Sequence, residues 1–148
     1  YFQEDYDSAF YYFQKFVEAR DKYGLDIYPQ EDVKIAWVYQ KMGLQEQAAR
    51  FFDSYKAYCN NDQSIYKSAS MAVMYAYEGK YDEAIEQLKI FATQDNYQYW
   101  ILVFQGIDPI LKPLENNPEY RKTQQKIKDR FWRQHDVLKK LLEEKGLI

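Results

Sequence analysis

Residues 36–52 read Ala36-Trp37-Val38-Tyr39-Gln40-Lys41-Met42-Gly43-Leu44-Gln45-Glu46-Gln47-Ala48-Ala49-Arg50-Phe51-Phe52. Residues 72–88 repeat the pattern at an offset of 36 positions: Ala36, Tyr39, Gly43 and Ala48 recur as Ala72, Tyr75, Gly79 and Ala84, and Phe52 recurs as Leu88. A fixed self-match at this period marks helix pairs stacked in series, each burying its apolar face only against its neighbours. The spacing therefore predicts an all-α chain of about seven helices. It also predicts a binding scaffold in preference to a catalyst.

Each copy reads as a helical hairpin. In Val33–Met42 the apolar residues fall at helical spacing, and Gly43 follows as a stop signal. Pro29 suits a first helical turn, where its missing N–H is not needed. Gln45 to Tyr58 is a second amphipathic segment. Small Ala36 and Ala48 allow the two backbones to approach, while Tyr39 and Phe52 fill the space beside them. The polar run Asn60-Asn61-Asp62-Gln63-Ser64 turns the chain. The next pair is expected at Ile65–Glu78 and Tyr81–Thr93, joined by Gly79-Lys80.

Toward the start, Asp5-Tyr6-Asp7-Ser8-Ala9 matches Lys80–Ala84, and Phe13 and Phe16 fall where Leu88 and Phe91 do. Residues 1–28 thus read as the second half of a repeat, and 29–64 and 65–96 as whole repeats. Ala9 to Ala48 is 39 residues, which places three extra residues in the loop around Gly24 to Pro29. Tyr1-Phe2-Gln3 is either the last turn of a preceding helix or the remnant of a cleaved tag. An array that opens in mid-repeat is expected to belong to a longer protein. After Asn96 the pattern decays, with a short helix at Tyr97–Gln105 and then Gly106, Pro109, Pro113 and Pro118. Residues 97–117 read as a degenerate repeat and Pro-rich loop, and 118–148 as a capping helix running to Lys145 and stopped by Gly146.

The 148 residues make one domain by length, with 47% apolar and 29% charged residues, as in soluble globular chains. The longest apolar run, Tyr99 to Phe104, falls far short of the roughly 20 residues of a membrane span. No basic-then-apolar leader is visible, so a cytoplasmic location is expected, with any upstream signal or anchor outside these residues. Cys59 is the only cysteine, which excludes an internal disulfide and a cysteine-cluster zinc site. A net charge of −3 is a poor match to nucleic acid, and no direct nucleic-acid binding is expected. The charge is uneven: residues 118–145 carry nine Lys/Arg against five Asp/Glu, a surplus of +4, leaving −7 elsewhere.

Small–x–x–Tyr, a Gly turn, then Ala and an aromatic or Leu four residues later resembles the tetratricopeptide repeat family. Ala36/Tyr39/Gly43/Ala48/Phe52 and Ala72/Tyr75/Gly79/Ala84/Leu88 carry the likeness, which covers residues 1–96 well and the rest loosely. The family's usual period is 34; the two extra residues here fall in the Cys59–Ser64 turn, and the closing Pro is absent. The resemblance implies a solenoid of antiparallel pairs in a right-handed superhelix. Ile107 to Tyr120 is similar to segments that close repeat regions attached to bacterial transcriptional regulators and signalling cyclases. That likeness implies the interaction or sensor part of a larger bacterial regulatory protein.

In the family, the first helix of each pair lines a concave groove for an extended peptide or a partner helix. The matching positions are Gln30, Val33, Trp37, Gln40 and Lys41, then Tyr66, Ala69, Val73, Ala76 and Tyr77. Chaperone-binding members clamp a terminal carboxylate with Lys and Asn; Val33, Trp37, Ala69 and Val73 replace that set, so no such clamp is expected. An aromatic groove with amide edges remains, suited to burying side chains of a protein or peptide ligand. Against this stands the reading in which Trp37 and Tyr77 only pack neighbouring helices.

The 118–145 segment places Ile127, Phe131, Leu138 and Leu142 on one face. It reads as a solenoid cap, as a seam pairing two subunits, or as an anion-binding or membrane-surface strip. A small-ligand sensor using the tyrosine-rich interior is a further alternative and predicts a closed pocket. His135 lacks a second histidine or a nucleophile, Cys59 lacks a partner base, and Asp5/Asp7 and Asp82/Glu83 sit where they favour helix starts. No phosphate loop or metal-ligand spacing is present, so no enzyme, cofactor or metal is expected.

Overall fold

The computed structural model describes residues 1–148, and all of its regular secondary structure is helical. Its elements are α1 (Tyr6–Tyr23), a 3-10 turn (Pro29–Glu31), α2 (Asp32–Lys41), α3 (Gln45–Asn61), α4 (Lys67–Tyr77), α5 (Tyr81–Phe91), α6 (Trp100–Gln105), a second 3-10 turn (Lys112–Leu114) and α7 (Pro118–Glu144). No helix is long and apolar enough to cross a membrane.

Two hairpins form the centre, α2 against α3 and α4 against α5. The backbone of their turns is the same at the 36-residue offset. Gly43 and Gly79 adopt φ of +78° and +75°. Their N–H groups donate to Gln40 O (3.1 Å) and Ala76 O (3.0 Å), and the next residues, Leu44 and Lys80, donate to Tyr39 O and Tyr75 O, both at 2.9 Å. Ahead of α1 the same turn recurs with Glu4 at φ +58° in place of glycine. Glu4 N donates to Tyr1 O at 2.8 Å, and its carboxylate pairs with Lys112.

The alanines are buried within the hairpins: Ala36, Ala72 and Ala84 are 0% exposed and Ala48 is 2% exposed. A larger side chain there would force the helices apart, at a cost of about 1–3 kcal/mol. Phe52 and Leu88 are buried at the same offset, whereas Tyr39 is buried and Tyr75 only half-buried. α1 lies against α2 through Phe10, Phe13, Phe16 and Val17. Its Arg20 guanidinium bonds the buried Asp32 carboxylate at 2.8 Å, and Ser54 Oγ donates to the other oxygen at 2.6 Å. One carboxylate therefore ties α1, α2 and α3 together, and removing either charged partner strands the other in a dry place.

Several boundaries differ from the sequence expectation. Helix α4 begins at Lys67, not Ile65, because Asp62 Oδ1 accepts from Ser64 N (2.7 Å) and Ser64 Oγ accepts from Tyr66 N (3.1 Å). These local bonds compete with helix formation. Helix α3 runs on to Asn61, past the expected end at Tyr58, and α5 stops at Phe91, short of Thr93. Helix α6 starts at Trp100, not Tyr97, since Tyr97 is held outside it by a bond from its hydroxyl to Ile127 O. Helix α7 ends at Glu144, one residue before the expected Lys145.

The largest departure concerns 107–117, expected as a loop. Ile110, Leu111 and Leu114 are at most 2% exposed and join the main core with Tyr120. Burying each such side chain is worth about 1.5–3 kcal/mol. The prolines shape a tight wedge here. A smaller second core gathers Ala69, Phe91, Tyr97, Ile101 and Ile127, joining α4, α5, α6 and α7.

A Cβ at Gly79 meets nothing within 4 Å, so Gly79→Ala tests the backbone term alone. Chemical denaturation should show a loss of about 1 kcal/mol for Gly79→Ala, and the same for Gly43→Ala. Gly106, at φ −76°, should tolerate alanine with little loss.

Candidate functional site

One cavity, of about 330 Å³, is bounded by the start of α2, one face of α4, α6 and the wedge. Its floor is built from Val33, Ala69, Val73, Ile101 and Leu111. Helical spacing explains the α4 side: Ala69 and Val73 are four apart, one turn above each other.

Aromatic rings make the two rims. On one side Trp100 lies against Tyr66 with ring centroids 5.3 Å apart. The Tyr66 hydroxyl accepts from Gln98 N at 2.9 Å, and Trp100 Nε1 donates to Gln98 Oε1 at 2.7 Å, so both rings are fixed in place. On the other side Phe2 stacks on Phe104 at 5.0 Å with 24° between planes, and the Lys34 ammonium lies 5.3 Å from the Phe2 ring.

Six polar residues interrupt this apolar lining: Gln30, Glu31, Lys34, Ser70, Gln105 and Asp108. Gln105 is buried, and its Oε1 has no hydrogen-bond partner. Such an acceptor costs free energy until a donor reaches it. Asp108 Oδ1 accepts from Ile110 N at 2.9 Å and from the Tyr1 hydroxyl. Burial pushes the Asp108 carboxyl above the usual carboxylate range, opposed by the bonds from Tyr1 and Ile110 and by nearby Lys34. Burial beside Asp108 also raises the Tyr1 phenol, which keeps it a donor. Glu31 and Lys34 pair with each other at 2.8 Å on the edge.

Of the expected groove residues, Gln30, Val33, Tyr66, Ala69 and Val73 line this cavity. Trp37, Gln40, Lys41, Ala76 and Tyr77 do not. Trp37 Nε1 donates to the Tyr6 hydroxyl (3.3 Å), and its ring meets Tyr77 edge-on at 6.0 Å. Tyr77 stacks on Phe52 at 4.1 Å, and the Lys41 ammonium sits 4.5 Å from the Trp37 ring. Those side chains join α1 to the two hairpins. Ala76 is buried and Gln40 faces solvent.

The residues missed by sequence reasoning are mainly Phe2, Trp100, Phe104, Gln105 and Asp108. Their one sequence signal was the apolar run Tyr99–Phe104, in which Trp100 and Phe104 are one helical turn apart. Elsewhere, Cys59 is fully buried and burial pushes its thiol up to about 12, so it carries no thiolate nucleophile at neutral pH. His135 lies beside Phe131 and Trp132. No three His, Cys, Asp or Glu residues are grouped as a metal site would need. Comparison of the chain with protein-family models, with curated proteins and with solved structures gives no match.

Because the folded Asp108 carboxyl titrates above its unfolded value of about 3.9, its protonation stabilises the fold fully below that value. That contribution is lost as pH rises through the folded value. Asp108→Asn should therefore melt higher than the parent chain at pH 7, with the two curves converging as the buffer is taken below pH 4. A thermal melt series across pH reads this directly.

Proposed function

We propose that this chain is a non-catalytic scaffold of the tetratricopeptide type, a right-handed solenoid that binds an apolar side chain of a protein or peptide in the cavity beside α4 and α6. The observation that carries this reading is a cavity with an aliphatic floor of Val33, Ala69, Val73, Ile101 and Leu111 between two aromatic rims, Tyr66–Trp100 and Phe2–Phe104. A ligand side chain would bury its apolar surface on Val33, Ala69, Val73 and Phe104. Rigid aromatic walls favour this use because little side-chain entropy is lost on binding. The repeat assignment rests on the shared residue pattern and on the matching turn backbones at Gly43 and Gly79. The further reading, that the chain serves a larger bacterial regulatory protein, rests on the likeness of 107–120 alone.

Recognition of a small molecule is a second reading, favoured by one feature. The Phe2–Phe104 stack and Trp100 narrow the groove to about 330 Å³, near the lower end for ligand pockets.

Selection of a phage-displayed random peptide library on the 148-residue chain tests the first reading. Enriched peptides should share one large apolar residue, and fluorescence polarisation should show Phe104→Ala and Val73→Gln weakening them by about tenfold or more. Gln40→Ala and Lys41→Ala should bind as the parent does. Failure to enrich a common apolar position, or equal binding by the Phe104 and Val73 variants, rejects the peptide reading.

A further inference from the structure

The cavity beside α4 and α6 holds one carboxylate that no cation answers. Glu31 on its edge pairs with Lys34 at 2.8 Å. Asp108 has no ion-pair partner; its Oδ1 is taken by two neutral donors, the Tyr1 hydroxyl and Ile110 N. Its Oδ2 has no hydrogen-bond partner. Nor is that oxygen sealed in, since the enclosed, unpaired side-chain atoms of this chain belong to Asp62, Gln105 and Gln124. A carboxylate taken out of water without a cation costs free energy, and the raised proton affinity of Asp108 reflects that cost. Asparagine could accept the same two bonds without the charge, so packing alone does not account for a carboxylate here.

The surroundings suit a positive charge. Asp108 belongs to the Phe2–Phe104 rim, because Tyr1, which bonds it, meets Phe2 edge-on at 4.9 Å. The Lys34 ammonium already lies over the Phe2 ring, whereas no lysine or arginine lies over Tyr66, Trp100 or Phe104. Aromatic faces of this kind attract cations. Outside 118–145 the chain carries a net charge of −7, which draws basic partners over a longer range.

Resting on the peptide reading above, we infer that the peptide taken up by this cavity carries a lysine or arginine beside its apolar anchor, and that Asp108 Oδ2 receives that cation. The anchor covers the aliphatic floor. The basic side chain lays its methylene stem along the Phe2–Phe104 rim and brings its charged head to Asp108. Glu31 does not compete for it, being held by Lys34. An acidic residue at the same place is rejected, because it would meet Asp108 as a like charge.

Selecting the random peptide library in parallel on the parent chain and on Asp108→Asn, with helicity of both checked by circular dichroism, tests this. Peptides selected on the parent should carry lysine or arginine next to the shared apolar residue. The Asp108→Asn pool should keep the apolar residue and lose the basic one. A parent-selected peptide is then synthesised with norleucine in place of its basic residue, a change that leaves the protein untouched. By fluorescence polarisation the norleucine peptide should bind the parent about tenfold or more weakly. The same exchange should cost little on Asp108→Asn, the signature of a coupled pair. A shared apolar residue without a basic neighbour, or equal binding of both peptides by the parent, overturns this inference and leaves the peptide reading standing. A norleucine penalty undiminished on Asp108→Asn overturns the role of Asp108. A selection that enriches no apolar residue overturns both.

Discussion

The structure depends on how closely two helices can run within a hairpin. Ala36 against the α3 side and Ala72 against the α5 side have no exposed surface, and Ala48 and Ala84 complete the seams. Alanine at these places brings the backbones within reach of dense packing, and the larger side chains one turn away fill the flanks. The glycine turns at Gly43 and Gly79 share one backbone conformation and one pattern of hydrogen bonds. The two hairpins meet where α4 packs against α3 and α2.

What lies beside that contact is decided by residues beyond the regular pattern. The wedge around Ile110, Leu111 and Leu114 enters the main core, and α6 is clamped across the adjoining space by Tyr66 and Tyr97. Tyrosine suits this task because its ring fills a gap while its hydroxyl bonds a backbone group some distance along the chain. The space beside α4 is thereby closed into a cavity with aromatic rims. At the opposite end, Tyr6, Trp37, Tyr77 and Phe52 fill the equivalent space with each other.

Charge is distributed to match. The buried Arg20–Asp32 pair, with Ser54, secures α1 to the first hairpin, and most other ion pairs lie at the surface, where they add little to stability. The basic surplus on α7 is carried by a helix whose first half is held by the body and whose second half projects from it.

Local rules made much of the fold legible. The 36-residue recurrence of Ala, Tyr and Gly marks two helix–turn–helix units, because small residues, turn glycines and 3.6-residue periodicity act over a few positions. The all-helical class, the hairpin turns and the start of α7 at Pro118 were readable for that reason. That Ala69 and Val73 share a face was readable too, since helical spacing sets them one turn apart, and with Val33 they line the cavity. The surroundings of the other expected positions were not. Whether Trp37 and Tyr77 open to a ligand or close on Tyr6 and Phe52 depends on α1, which is distant along the chain from Tyr77. Likewise, nothing local distinguishes 107–117 as a buried wedge from an exposed proline-rich loop. Only long-range packing, which brings Phe104, Gln105 and Asp108 opposite Val33 and Val73, decided where the cavity lies.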